Sequence, residues 1–230
     1  MSLAETAALL ADKTRATFCL ALLDGRAWTA IELARHAGVS ASTASEHLSR
    51  LVEGGLLAEE RQGRHRYLRV AGPEVAVLIE DLAAFADQPS RPRNLRDSVR
   101  MSAEARARTC YDHLAGHLGV AVSDALVERG LVANDAGLAL TEEGRRRLAE
   151  SGVRIPERRG SRPMVRGCLD WTERRTHLGG VLGAELCRTS LEQHWVERIG
   201  SGRALRVTPE GVAAYRALVG VELADVEAVA

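Results

Sequence analysis

Aromatic residues make up only 3% of this 230-residue chain, and lysine occurs once, at Lys13, so 30 of its 31 basic side chains are arginine. So few aromatics argue against the stacking platforms that hold single-stranded nucleic acid. The formal net charge is zero, so the chain does not coat nucleic acid as a polycation; any DNA contact must come from local basic clusters. Its four cysteines (Cys19, Cys110, Cys168, Cys187) are far apart with no CxxC, which leaves neither a zinc ribbon nor a disulfide scaffold. There is no signal-peptide pattern and no run of about 18 apolar residues, so a soluble, cytoplasmic protein with reduced thiols and no membrane partner is expected. A nucleophile elbow, a phosphate loop and HExxH are also missing, and the chain does not read as an enzyme.

What is present concentrates between Thr29 and Val70. Ile31, Leu33 and Ala34 give a short amphipathic helix that ends at Gly38. Ser40 is placed to N-cap a second helix through its side-chain oxygen, with Leu48, Leu51 and Val52 as its buried stripe and Gly54-Gly55 as its stop. Two strand-like runs follow, Leu56 to Glu60 and Arg66 to Val70, hinged at Gln62-Gly63. Helix, tight turn, helix and basic hairpin is the plan of a winged helix-turn-helix, whose second helix enters the major groove. In its HAGVSASTASEHLSRLVEGGLL run and RQGRHRYLRV wing, the segment from about residue 10 to 86 resembles the DNA-binding domain of the ArsR family of bacterial repressors. The resemblance implies a homodimer that binds a double-stranded DNA operator and responds to a metal, a metalloid, a thiol oxidant or another ligand. It also implies that an N-terminal helix and the helix after the wing, here Pro73 to Phe85, build the dimer interface. The candidate DNA-binding residues are Ser40, Ser42, Thr43, Ser45, Glu46 and His47 at the start of the second helix, and Arg50 nearer the phosphates. Arg61, Arg64, His65 and Arg66 crowd the wing tip, where guanidinium groups pair with phosphates or enter the minor groove.

Residues 89–102 are polar, proline-containing and arginine-rich and read as a linker between a winged-helix domain (1–88) and a C-terminal domain (103–230). In the latter, HLAGHLGVAVSDALVERGLV from His113 aligns without gaps on HLGGVLGAELCRTSLEQHWV from His177, an offset of 64. Downstream, Leu138 to Gly144 matches Leu205 to Gly211, with Thr141 and Thr208 as helix N-caps. The expected fold class is therefore mainly α with small β-hairpins: a winged helix-turn-helix domain followed by two duplicated winged-helix-like units, about 103–152 and 166–222.

The duplication bears on chemistry. Cys110, His113 and Gly116 follow at i, i+3 and would share one helix stripe if a helix begins near Ser102. If the duplicated helices cross at Gly116/Gly119 and Gly180/Gly183, His113 and His177 approach each other. Cys110 and Cys168 then complete a candidate set of two thiolates and two imidazoles for zinc or another soft transition metal ion. Asp112, Asp170 and His117 are further candidates, whereas Cys19 and Cys187 read as core. Metal ligation, thiol redox chemistry and a purely structural role all fit these residues. A small organic ligand bound among Trp171, Trp195 and Tyr111 is an alternative effector, and a winged-helix protein-interaction module is an alternative function. The chain departs from the metal-sensing branch of the resembled family. It has Ile31-Glu32-Leu33 where that branch commonly places cysteines, and the helix after the wing lacks a His/acidic ligand set.

Overall fold

A computed structural model of the chain describes residues 2–63, 65–86, 95–157, 162–200 and 202–221. The chain forms two compact units, residues 1–82 and 83–230. In the first, α1 (Leu3–Leu10) starts at a capping box between Ser2 and Glu5, and α2 (Lys13–Leu22) is capped by Asp12. A short strand β1 (Trp28–Thr29) leads into α3 (Ala30–Ala37), which Thr29 and Glu32 cap reciprocally. Gly38 closes α3 in the left-handed conformation at φ 68°, so the turn to α4 (Ala41–Glu53) takes only Val39 and Ser40. The Ser40 side-chain oxygen accepts from Thr43 N at 3.1 Å, as expected. Phe18, Leu22, Leu33, Leu48, Leu51 and Leu68 are fully buried and make the core of this unit. The wing pairs β2 (Leu57–Gln62) with β3 (His65–Val70) in the register Gln62 to His65, and β3 also pairs with β1, giving the order β1-β3-β2. The helix after the wing is α5 (Pro73–Ala86).

Of the expected linker, residues 89–94 lie outside the described residues, and 95–102 are helical, within α6 (Leu95–Arg106). From there hairpin, helix, hairpin, helix occurs twice. The first round is β4 (Arg108–Cys110), β5 (His113–Ala115), α7 (Gly116–Glu128), β6 (Val132–Ala133), β7 (Ala139–Leu140) and α8 (Glu142–Glu150). The second is β8 (Arg166–Leu169), β9 (Thr176–Gly179), α9 (Gly180–Glu192), β10 (Val196–Arg198), β11 (Leu205–Val207) and α10 (Pro209–Val219). Both rounds feed one apolar core that includes Leu118, Leu126, Leu148, Leu182, Trp195 and Tyr215. The helix of each round packs on the hairpin of the other, α7 against β9 and α9 against β5.

One sequence expectation fails here. Cys110, His113 and Gly116 do not share a helix: α6 ends at Arg106, Cys110 and His113 stand opposite each other in the β4–β5 hairpin, and Gly116 begins α7. The chain reverses through Tyr111 at φ 51° and turns again at Gly116 at φ 73°, so no α-helix can run through this stretch.

Candidate functional site

On the N-terminal unit, the exposed face of α4 carries Ser42, Thr43, Ser45, Glu46 and Arg50, with Ser40 at its cap. Arg50 donates to Glu46 Oε1 at 2.7 Å, one helical turn away. His47 turns off this face. It is half-buried, with Nδ1 3.2 Å from Arg15 Nη1 and 3.6 Å from Asp12 Oδ1. On the wing, Arg61 and His65 are exposed, and Arg64 lies outside the described residues. Arg66 is half-buried. Its Nε donates to Glu59 Oε2 at 2.7 Å and its Nη atoms lie 3.4 Å from Ser49 Oγ, so it braces the wing against α4 rather than standing at the tip. Position in the wing points to Arg61 and His65, but the braces on His47 and Arg66 depend on partners far away in sequence.

In the C-terminal unit the structure brings together Cys110, His113, Cys168 and His177. All four are buried, and their candidate ligand atoms lie within 4.8 Å of one another. The hairpins explain how. Cys110 pairs with His113 across β4–β5, and Cys168 pairs with His177 across β8–β9. Directly opposed residues send their side chains to the same face of a hairpin, about 5 Å apart, so each hairpin presents one thiol and one imidazole. The two Nε2 atoms meet at 3.1 Å, where one ring donates and the other accepts.

The shared H-L-small-G-x-L-G run now has a physical reading. Gly119 and Gly183 sit where the helix of one round passes the histidine of the other. A Cβ on Gly183 would lie 3.0 Å from His113 Cβ, one on Gly119 would lie 3.7 Å from His177 Cβ, and both would strike the carbonyl of their own Leu178 or Leu114.

Each histidine is backed by a carboxylate, and each carboxylate is held by an arginine. His113 Nδ1 lies 3.3 Å from Asp112 Oδ1, and Arg162 grips Asp112 through two donors at 2.6 and 2.9 Å. His177 Nδ1 lies 3.2 Å from Asp170 Oδ2, an ion-pair distance whose angle falls short of a hydrogen bond. Arg108 Nη2 donates to the same oxygen at 2.9 Å. Burial works to raise the pKa of both carboxylates, but their contacts win and hold both low: His113 and Arg162 for Asp112, and His177, Arg108 and Thr172 for Asp170. Burial pushes His177 down, but Asp170 and Cys110 outweigh it and leave its pKa raised. Burial also pushes the thiols of Cys19 and Cys187 up to about 12, and both are core residues, as expected. Sequence reasoning named Asp112 and Asp170 only as further ligands and missed Arg108 and Arg162. The Arg-x-Cys-x-Asp run at 108–112, which recurs at 166–170, is the signal that marks Arg108, and no spacing marks Arg162. His117 points elsewhere, to Glu173 at 3.5 Å.

A helix-turn-helix with a two-stranded wing beside it defines a winged-helix DNA-binding protein. Residues 10–60 match the model of a helix-turn-helix domain family. Over 224 residues the chain is 38% identical to the uncharacterized HTH-type transcriptional regulator YdfF of Bacillus subtilis (strain 168), spanning 96% of this chain and 99% of that one. It is 36% identical over 93 residues to the HTH-type transcriptional regulator CmtR of Mycobacterium tuberculosis, 38% of this chain and 78% of the relative. A solved structure of the cadmium metal-sensor CMTR from the same organism is 33% identical, with a TM-score of 0.32, over 40% of this chain and 100% of that one. The chain belongs to the family of HTH-type transcriptional regulators, in keeping with its resemblance to ArsR repressors. It is a DNA-binding regulator and not an enzyme. Among the described residues no helix is long and apolar enough to cross a membrane.

Proposed function

We propose that this regulator is a homodimeric repressor whose C-terminal domain senses a soft transition metal ion of the zinc class. In this reading residues 1–88 bind the operator and dimerise, and 103–230 are two duplicated winged-helix-like units converted to sensing. The observation that carries the proposal is the buried convergence of Cys110, His113, Cys168 and His177. Two sulfur and two nitrogen donors suit a closed tetrahedral site, in which neighbouring ligand atoms stand roughly 3.3 to 3.8 Å apart. The 3.1 Å between the imidazole nitrogens is close to that edge. Carboxylates behind both rings are the outer partners that metal-bound histidines usually have. Two of the three aromatic residues named for an organic ligand are already engaged: Trp195 packs edge-on against Tyr215 at 5.5 Å, and Trp171 lies under Arg108. Leu78 and Leu82 on α5 and Leu3 on α1 are exposed apolar residues, which supports the dimer.

The test is metal analysis of protein purified without chelator, joined to a gel-shift on its own upstream DNA with and without chelator. Stoichiometric metal and a chelator-dependent shift are expected; protein that takes up no zinc and shifts DNA identically in both conditions would sink the sensing reading. On the DNA side, Arg61→Ala should lower the salt dependence of operator binding by about one phosphate contact. Arg66→Ala should instead weaken binding at every salt concentration, because it loosens the wing from Glu59 and Ser49. Equal salt slopes for wild type and Arg61→Ala would count against the wing tip as a phosphate contact.

A further inference from the structure

We propose that Asp170 is the positioning residue of this centre. It fixes the His177 ring for metal and, through Arg108, ties occupancy of the site to the C-terminal end of α6. The inference rests on the metal reading above and concerns how the site is tuned.

The two arms behind the histidines are chemically alike but physically unequal. Asp112 and Arg162 are each about a quarter exposed, at 29% and 25%, so water competes for that arm. Asp170 and Arg108 are both 0% exposed. Every contact of Asp170 is internal. Its Oδ1 accepts from Thr172 N at 2.9 Å, Thr172 Oγ1 at 2.6 Å and Glu173 N at 3.1 Å, which pins the carboxylate plane within its own loop. Its Oδ2 accepts from Arg108 Nη2 at 2.9 Å and Gly116 N at 2.7 Å, and faces His177 Nδ1 at 3.2 Å. One oxygen atom therefore touches β4, the first residue of α7 and β9, that is, both rounds of the duplicated order.

A buried ion pair is a poor way to gain stability, since well-packed apolar residues of the same volume often do as well. It is a good way to fix one arrangement. A carboxylate saturated on one oxygen and held by a guanidinium on the other keeps the buried ring with its Nδ1 toward Asp170 and its Nε2 toward the centre. Arg108 extends the chain of contacts. Its Nη1 donates to Glu104 O at 3.0 Å, in the last turn of α6, and to Thr172 Oγ1 at 3.1 Å, while its guanidinium lies 4.7 Å over the Trp171 ring. Movement of His177 toward a bound ion thus reaches the α6 terminus through two side chains.

The experiment uses the full-length protein, stripped with chelator, loaded with Co²⁺ and then competed with Zn²⁺. Asp170→Asn should bind zinc about 10- to 100-fold more weakly than wild type. It should still show thiolate-to-cobalt absorption, because both cysteines remain. Asp112→Asn should lose no more than about threefold, its arm being partly screened by solvent. In zinc-loaded wild type, histidine NMR should show His177 protonated at Nδ1, and amide exchange in the last turn of α6 should slow on zinc binding but not in Asp170→Asn. Thr172→Val, which removes two hydrogen bonds from the same arm, provides the measurement if Asp170→Asn does not fold; it should weaken zinc severalfold. Zinc affinity within about threefold of wild type in Asp170→Asn, or unchanged in Thr172→Val, overturns the proposal, as does an equal loss in Asp112→Asn. Unaltered α6 exchange overturns the coupling to α6. Wild type that binds neither ion overturns the metal reading as well, so the two failures are told apart.

Discussion

On the metal reading proposed above, Cys168→Ser should remove most of the zinc affinity and most of the stability that zinc confers, with little change in the metal-free fold. Cys168 is 3% exposed and stands opposite His177 in a hairpin, where serine is nearly isosteric. A hydroxyl is a hard donor and a poor replacement for thiolate on a soft ion. Closed zinc sites release about 10 to 16 kcal/mol on binding, so one of four ligands is worth roughly 3 kcal/mol, about a hundredfold in affinity. The same linkage sets the thermal effect. Zinc at a thousand times its dissociation constant adds about 4 kcal/mol to the folded state, which for a unit of this size raises the midpoint by roughly 10 °C. Calorimetry with and without zinc should show that rise in wild type and only about a third of it in Cys168→Ser. Cys187→Ser is the control: its thiol is buried in α9 and held protonated with a pKa of about 12, so the variant should keep the full zinc response. An undiminished zinc shift in Cys168→Ser would exclude Cys168 as a ligand, and a lost one in Cys187→Ser would mean that Cys187 is more than a core residue.

How much of this was legible in the sequence depends on how local the determining interactions are. The helix-turn-helix was legible residue by residue. Thr29 and Glu32, Gly38, and Ser40 with Thr43 each fix a boundary within four positions of themselves. The offset of 64 paired His113 with His177, and a thiol stood upstream of each, 58 residues apart, but the geometry that brings the four together was not legible. A Cys-x2-His spacing fits one helical turn and equally a two-residue hairpin turn. What decides is Tyr111 at φ 51°, a residue that carries no usual turn signal. Cys168 and His177, nine apart, look unrelated to Cys110 and His113, three apart. Both are cross-strand pairs, and only the length of the hairpin differs. The start of α6 was illegible for a similar reason. Leu95 and Val99, at helical spacing, sit among arginines and are exposed, so α6 lacks the apolar face that marks a helix over its first turns. Arg108 and Asp170 each recur in the other copy, as Arg-x-Cys-x-Asp at 108–112 and 166–170, but their pairing was out of reach because it joins one copy to the other across 62 residues.

Gly211→Ala and Gly144→Ala should each destabilise the C-terminal unit by about 3 kcal/mol, against the usual direction of such a change inside a helix. Replacing a helical glycine by alanine ordinarily gains roughly 0.5 to 1 kcal/mol, because the unfolded chain loses freedom. Here the space is already taken. A Cβ on Gly211 would lie 1.9 Å from Trp195 O, and one on Gly144 would lie 2.0 Å from Leu131 O; both obstacles are backbone, which cannot swing aside as a flexible side chain does. The same carbonyls anchor the caps. Trp195 O accepts from Thr208 N at 3.0 Å and Leu131 O from Thr141 N at 3.1 Å, while each threonine oxygen accepts from its glycine N at 2.9 Å. The Thr-x-x-Gly repeat is thus a docking device that seats α8 and α10 on the end of the preceding helix and hairpin. Opening it requires the cap to shift, and overpacking of this kind costs typically 1 to 3 kcal/mol, with backbone obstacles at the upper end. For a unit of this size that lowers the thermal midpoint by roughly 10 °C. Because the two positions share one geometry, the two variants should fall by similar amounts, and the double variant should lose nearly the sum. Thermal melts in which either variant matches or exceeds wild type would show that the helices do not seat on those carbonyls in solution.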